Sequence, residues 1–205
     1  MILLKESTCY KKIKRINMKF LYIFLLFTLF VSPPKDKTIK ADIFTIEYSE
    51  KYEQPLRVKY TVLCTETKYS RKGLDFYKCD SIKTSDRLDY ENNEYDKGHM
   101  APAADFSCDS LKLVHTFTYL NCALQHKDLN RGVWKMLESH ERELAVSGKT
   151  EVTVIVHFSK KSVKLPTGAT VPDGFTKEIR CGRIIEKYYF PNIKPTRVKY
   201  LDYQL

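Results

Sequence analysis

The run EVTVIVHF at residues 151–158 constrains the fold most. It is dense in β-branched residues from Val152 to Val156 and reads as a strong strand. RVKYTVLCT is β-branched and alternates, the two-residue period of a strand, and gives a second strand over 56–64. Strands are also expected at 43–50 and 182–190, with a buried strand or extended segment at 115–124 (HTFTYLNCAL). Residues 65–95 are polar and turn-rich. Residues 128–145 read as the best helix: Asp128 can cap it, and Val133, Met136, Leu137 and Leu144 form an apolar stripe. Many strands and few helices predict an α+β fold with a mainly antiparallel sheet. The 205 residues suit one domain, placed at 42–192, with a C-terminal tail at 193–205.

Residues 1–41 read differently. The basic run KKIKRINMK precedes FLYIFLLFTLFV, which is uncharged, and then Ser32, Pro33 and Pro34. Basic, apolar, then helix-breaking is the layout of a secretory signal peptide. The apolar core is short for a membrane span, which needs about 20 residues. No clean small-x-small cleavage pair follows it, so an uncleaved signal anchor is the alternative. A buried helix or a mitochondrial leader is a further one. Met18 as the start would give a more ordinary leader. The expected location is therefore secreted, or membrane-anchored through this segment alone. The segment also holds most of the net charge of +10: nine basic and two acidic residues lie in 1–41, leaving 26 basic and 23 acidic elsewhere. A net of +3 is a weak sign of polyanion binding, so any basic surface on the domain must come from local clustering.

Six cysteines are present, and Cys9 would leave with the leader. No C-x-x-C pair exists, which argues against a zinc knuckle. Cys64 and Cys79 flank one candidate hairpin and are the expected disulfide in an oxidising compartment; the alternative is that all thiols stay reduced. Cys122 is open between a buried thiol and a partner for Cys108.

Two stretches carry chemistry. YDKGHMAPAADF places Asp96, Lys97, Gly98 and His99 together. A neutral imidazole accepts protons near physiological pH, so His99 is a candidate general base, although a lone histidine is more often structural. Some twenty residues on, YLNCALQHKDLNRGVWKMLE supplies Asn121, Gln125, Asn130 and Glu138. On one continuous helix, Asn130, Trp134 and Glu138 would drift about 40° per step and share a side. An amide oxygen near a carboxylate suits a hard cation that keeps its waters, such as Mg²⁺. Arg131, Lys135 and Arg142 could neutralise phosphates beside it. The bland reading of the same spacing is a surface helix laced with salt bridges.

Together these stretches resemble the DNA/RNA non-specific endonucleases, a family with a ββα-metal core. The matching positions are Asp96, Gly98, His99, Ala101, Pro102, Asn121, Gln125, Leu129, Asn130, Trp134, Leu137 and Glu138, and ATVPDGFTKEI resembles a late family segment. The resemblance implies catalytic roles for His99, Glu138, Lys97 and Arg142. His99 would be the general base and Asn130 the direct ligand of one Mg²⁺, with Mn²⁺ or another divalent cation able to substitute. Glu138 would hold the metal's waters, and Arg142 would sit near the phosphate. Asp96 and Asn121 would support the site. Arg71 and Arg131 would meet the substrate, with Arg87 competing for the place of Arg71. DNA and RNA are the implied substrates, and a homodimer is left open.

Three features depart from the family pattern. Lys97 replaces the usual arginine, keeping the charge but not the planar fork. Ala123-Leu124-Gln125 lacks a common proline, and VHFSK stands where Thr-Gly-Pro is usual. Two other classes compete with an active nuclease. One is a catalytically weak or inactive nucleic-acid-binding module. The other is an anchored surface protein with an incidental motif.

Overall fold

The computed structural model describes residues 36–205. The expected leader falls almost wholly on residues outside that range. Eight strands form: β1 (Lys37–Lys40), β2 (Phe44–Ser49), β3 (Gln54–Thr61), β4 (Tyr95–His99), β5 (Cys122–His126), β6 (Thr150–His157), β7 (Gly174–Cys181) and β8 (Ile184–Pro191). Six make one sheet in the order β1-β2-β3-β6-β7-β8, and β4 pairs with β5 in a second. Every strand pairing is antiparallel. Helices are few: α1 (Ser110–His115), α2 (Lys127–Leu129) and α3 (Lys135–Ser147). The α+β expectation holds. Among the described residues, no helix is long and apolar enough to cross a membrane.

Strand β6 shows why the sheet forms where it does. Val152, Val154 and Val156 are buried at every second position. Helix α3 packs over β6 and β7, and Trp134 at its start meets the rings of Phe175 and Phe190 at 5.5 Å each. Residues 193–205 turn back to the sheet: Tyr203 stacks on Phe190 at 4.7 Å and Leu205 N donates to Lys187 O.

Four expectations are corrected. The helix expected over 128–145 is not continuous. Gly132 has φ −102° and ψ −115°, and a π-type turn at Asn130–Trp134 separates α2 from α3. Trp134 is fully buried and its side chain reaches Glu138, one turn on, while Asn130 lies before the break at Gly132, so the three are not carried by one regular helix. The segment at 115–124 is the end of α1, a 3₁₀ turn at Tyr119–Asn121 and only then β5. The side chains of Thr118 and Asn121 bond local backbone there and compete with a strand ladder. Strand β7 had no counterpart in the sequence reading. Its fully buried Lys177 stands where the alternation calls for an apolar residue. Residues 182 and 183 form the β7–β8 turn, with Gly182 at φ +58°, so β8 starts two residues later than expected.

The disulfide also differs: Cys64 joins Cys108, not Cys79. Cys122 is a buried free thiol donating to Tyr90 Oη at 3.2 Å.

Candidate active site

The two motif stretches meet as strand, strand and helix. In the β4–β5 register, Asp96 faces Gln125, Gly98 faces Ala123 and His99 faces Cys122. Helix α2 begins directly after β5. Gly98 is required by close approach: a Cβ there would lie 2.5 Å from Gln125 Oε1 and 2.7 Å from its Cβ. Beyond His99, buried Asn121 clamps the chain. Its Oδ1 accepts from Ala101 N at 2.8 Å, and its Nδ2 donates to Ala101 O and Thr116 O.

The imidazole of His99 lies between Phe76 at 4.6 Å and Phe117 at 4.7 Å. Its Nε2 is enclosed without a hydrogen-bond partner. Burial, then the charge of Arg71, pushes the His99 pKa down to about 3. The ring is therefore neutral at physiological pH. Of the two candidate upstream arginines, Arg71 is the one whose charge reaches His99; Arg87 pairs with Glu91.

Asp96 links the strand to the helix. It accepts from Asn130 Nδ2 at 2.9 Å and from Arg131 Nε and Nη2 at 2.8 and 2.6 Å. Burial alone would raise its pKa, but the bonds from Arg131 and Asn130 outweigh burial and hold it below the usual carboxylate range. With its amide nitrogen committed to Asp96, Asn130 presents Oδ1 as a free carbonyl acceptor. Arg131 is exposed, but much of its fork is occupied by Asp96.

The Glu138 carboxyl is pushed up to about 7, chiefly by burial and further by Glu141, with Lys177 and Arg142 opposing. Arg142 donates to Asp105 Oδ1 at 2.9 Å and to Ser139 Oγ at 3.1 Å. Below them lies a wholly buried ion pair. Glu141 accepts from Lys177 Nζ at 2.5 Å and from Tyr60 Oη at 2.6 Å, and Lys177 sits 4.1 Å from the Trp134 ring centre. Lys97 Nζ donates to Asp75 at 2.6 Å and lies over the Phe76 and Tyr119 rings.

Sequence reasoning gave no role to Asp75, Phe76, Asp105, Phe117, Glu141 or Lys177. Asp105 and Phe117 lie inside quoted stretches and Asp75 and Phe76 in the turn-rich segment, but none carries a spacing signal of its own. The resemblance of ATVPDGFTKEI to the late family segment was the available sign for Lys177.

The donor set fits a hard cation. Among the described residues, no group of three or more His, Cys, Asp or Glu converges on one point. What remains is a carbonyl oxygen on Asn130 with Glu138 farther along the same helical region. Mg²⁺ tolerates so few protein ligands because it keeps its waters.

Known proteins bear on this geometry. The family model described as DNA/RNA non-specific endonuclease matches residues 29–194. Mitochondrial endonuclease G of Bos taurus is 33% identical over 78 residues, 37% of this chain and 26% of that protein. A nuclease of Nostoc sp. is 40% identical over 60 residues, 29% of this chain and 22% of that protein. The matching stretches thus span about a quarter of those relatives' length. A chain in the crystal structure of an EndoG/EndoGI complex superposes with a TM-score of 0.72 at 23% identity, covering 84% of this chain and 81% of that one. That likeness establishes the fold, and the family match takes in the strands, the π-type turn and the helix that carry His99, Asn130 and Glu138: the chain belongs to the DNA/RNA non-specific endonuclease family.

Proposed function

We propose that the protein is a divalent-metal-dependent endonuclease that hydrolyses DNA and RNA phosphodiester bonds with little sequence preference. Asp96 carries the reading. It stands three residues before His99 on β4 and hydrogen-bonds Asn130, so the strand that bears the candidate base also holds the candidate ligand.

In this reading the neutral His99 takes a proton from water as the water oxygen bonds to phosphorus and the bond to the 3′-oxygen breaks. With Nε2 enclosed, Nδ1 is the nitrogen left to receive that proton. Asn130 Oδ1 would hold Mg²⁺, or Mn²⁺ or another divalent cation in its place, and Glu138 would hold its waters. When bound, the cation supplies charge neutralisation at the phosphate and support for the departing oxygen. Arg142, Arg71 and the exposed edge of Arg131 would donate to phosphate oxygens. Lys97 would do so once parted from Asp75. Phosphates are common to DNA and RNA and carry no base identity, which accounts for low sequence preference. The Cys64–Cys108 disulfide supports a secreted protein, or one anchored at the membrane by its N-terminal segment.

A second reading, a weak or inactive nucleic-acid-binding module, is favoured by one observation: Lys97 is held by Asp75. The full chain, incubated with plasmid and RNA with Mg²⁺ or with chelator, separates the two. Metal-dependent degradation that is lost in His99→Ala supports the nuclease. Binding without degradation by the folded, metal-replete chain supports the module.

A further inference from the structure

Asp105 is wholly buried, in a 3₁₀ turn six residues beyond His99. Its Oδ1 accepts from Arg142, while Oδ2 is enclosed without a hydrogen-bond partner. Burial, then the carboxylate of Glu141, pushes its pKa up, against the pull of Arg142. The turn is anchored from two sides. Leu63 N and Cys64 N donate to Asp105 O at 3.1 and 2.9 Å, and the disulfide from Cys64 reaches Cys108 three residues on.

We propose that Asp105 is a positioning residue that aims the Arg142 guanidinium, and that the Cys64–Cys108 disulfide acts on the reaction through it. The inference rests on the nuclease reading above. A guanidinium is a planar fork, and its hold on phosphate depends on its angle as well as its charge. Two fixed acceptors, Asp105 Oδ1 and Ser139 Oγ, set that angle before substrate arrives. Freed of Asp105, Arg142 keeps its charge but loses its aim. Transition-state contact then suffers more than ground-state binding, to which several other basic residues contribute.

The test is a double-mutant cycle on the full chain with plasmid and Mg²⁺, because contacting groups that act as one unit are non-additive. Asp105→Asn is expected to lower kcat about 10-fold or more, with KM changed less than about twofold. On an Arg142→Ala background it should cause no further loss. The Cys64→Ser/Cys108→Ser pair, assayed below its melting temperature, should follow the same pattern. On the Arg142→Ala background, an additive loss from Asp105→Asn would overturn the proposal and leave Asp105 a purely structural residue, and an additive loss from the cysteine pair would overturn the disulfide's part in it. A second readout does not need activity: the Arg142 guanidinium NMR signal should be protected from solvent exchange in the wild type and unprotected in Asp105→Asn. Retained protection overturns the proposal whether or not the chain cleaves. Lost protection in a chain that never cleaves upholds the positioning contact and sinks the nuclease reading. If Asp105→Asn does not fold, Ser139→Ala provides the second variant: it removes the other acceptor and should also lower kcat without raising KM, and an unchanged kcat counts against the proposal.

Discussion

His99 and Glu138 are displaced in opposite directions, and stability should record both. The Glu138 pKa is raised to about 7, so the folded metal-free chain binds that proton more tightly than the unfolded chain. The resulting stability is fully present below the unfolded carboxylate range and is lost as pH rises toward 7. Metal-free Glu138→Gln should match wild type near pH 4.5 and exceed it above pH 7, on the order of 1–3 kcal/mol, measured by denaturant melts. His99 has the reverse sign. Its pKa is lowered to about 3, so its contribution is present above the unfolded value near 6.5 and is lost as pH falls toward 3. His99→Gln should flatten that acid limb. At Gly98 the constraint is steric. Gly98→Ala drives a methyl group into Gln125 and should cost about 1–3 kcal/mol, with loss of the β4 register seen in amide shifts.

At the scale of elements, legibility followed amphipathic period. Strand β6 was readable because three valines alternate, and the strand expected at 56–64 was readable from the alternation in RVKYTVLCT. Strand β7 was not, because Lys177 occupies a core position where it is paired with Glu141. Lys177→Met should destabilise by about 3–5 kcal/mol, since Glu141 is left as an unpaired buried charge. Adding Glu141→Gln should restore much of that in thermal melts. The break at Gly132 hid for a different reason: one glycine in a helical pattern is usually tolerated, and only tertiary packing shows that this one bends the chain. The sequence motif therefore located Asn130 and Glu138 without revealing the turn between them. The same holds for His99, which the motif located while nothing in the pattern showed that Phe76 and Phe117 lie at its faces.

At the scale of the molecule, the site is assembled where a small β4–β5 ribbon, a kinked helix and the disulfide-tied turn meet beside the larger sheet. Loss of the Cys64–Cys108 bond, which closes a separation of 44 residues, should lower stability by about 2–5 kcal/mol in a denaturant melt under reducing conditions. Charge adds little to the long-range attraction of substrate, because the residues beyond the first 41 carry a net of +3; contacts close to the phosphate must supply most of the affinity. The central claim is that His99 on β4 and Asn130, held to that strand by Asp96, form one metal-dependent hydrolytic site. The single-turnover cleavage rate of a labelled duplex, measured against Mg²⁺ concentration, tests it most directly when wild type, His99→Ala and Asn130→Ala are compared. The expected result is metal-dependent cleavage by wild type and a fall of about 10²-fold or more in each variant, with folding intact by circular dichroism. Cleavage at the wild-type rate in either folded variant, or a rate indifferent to chelation, would contradict it.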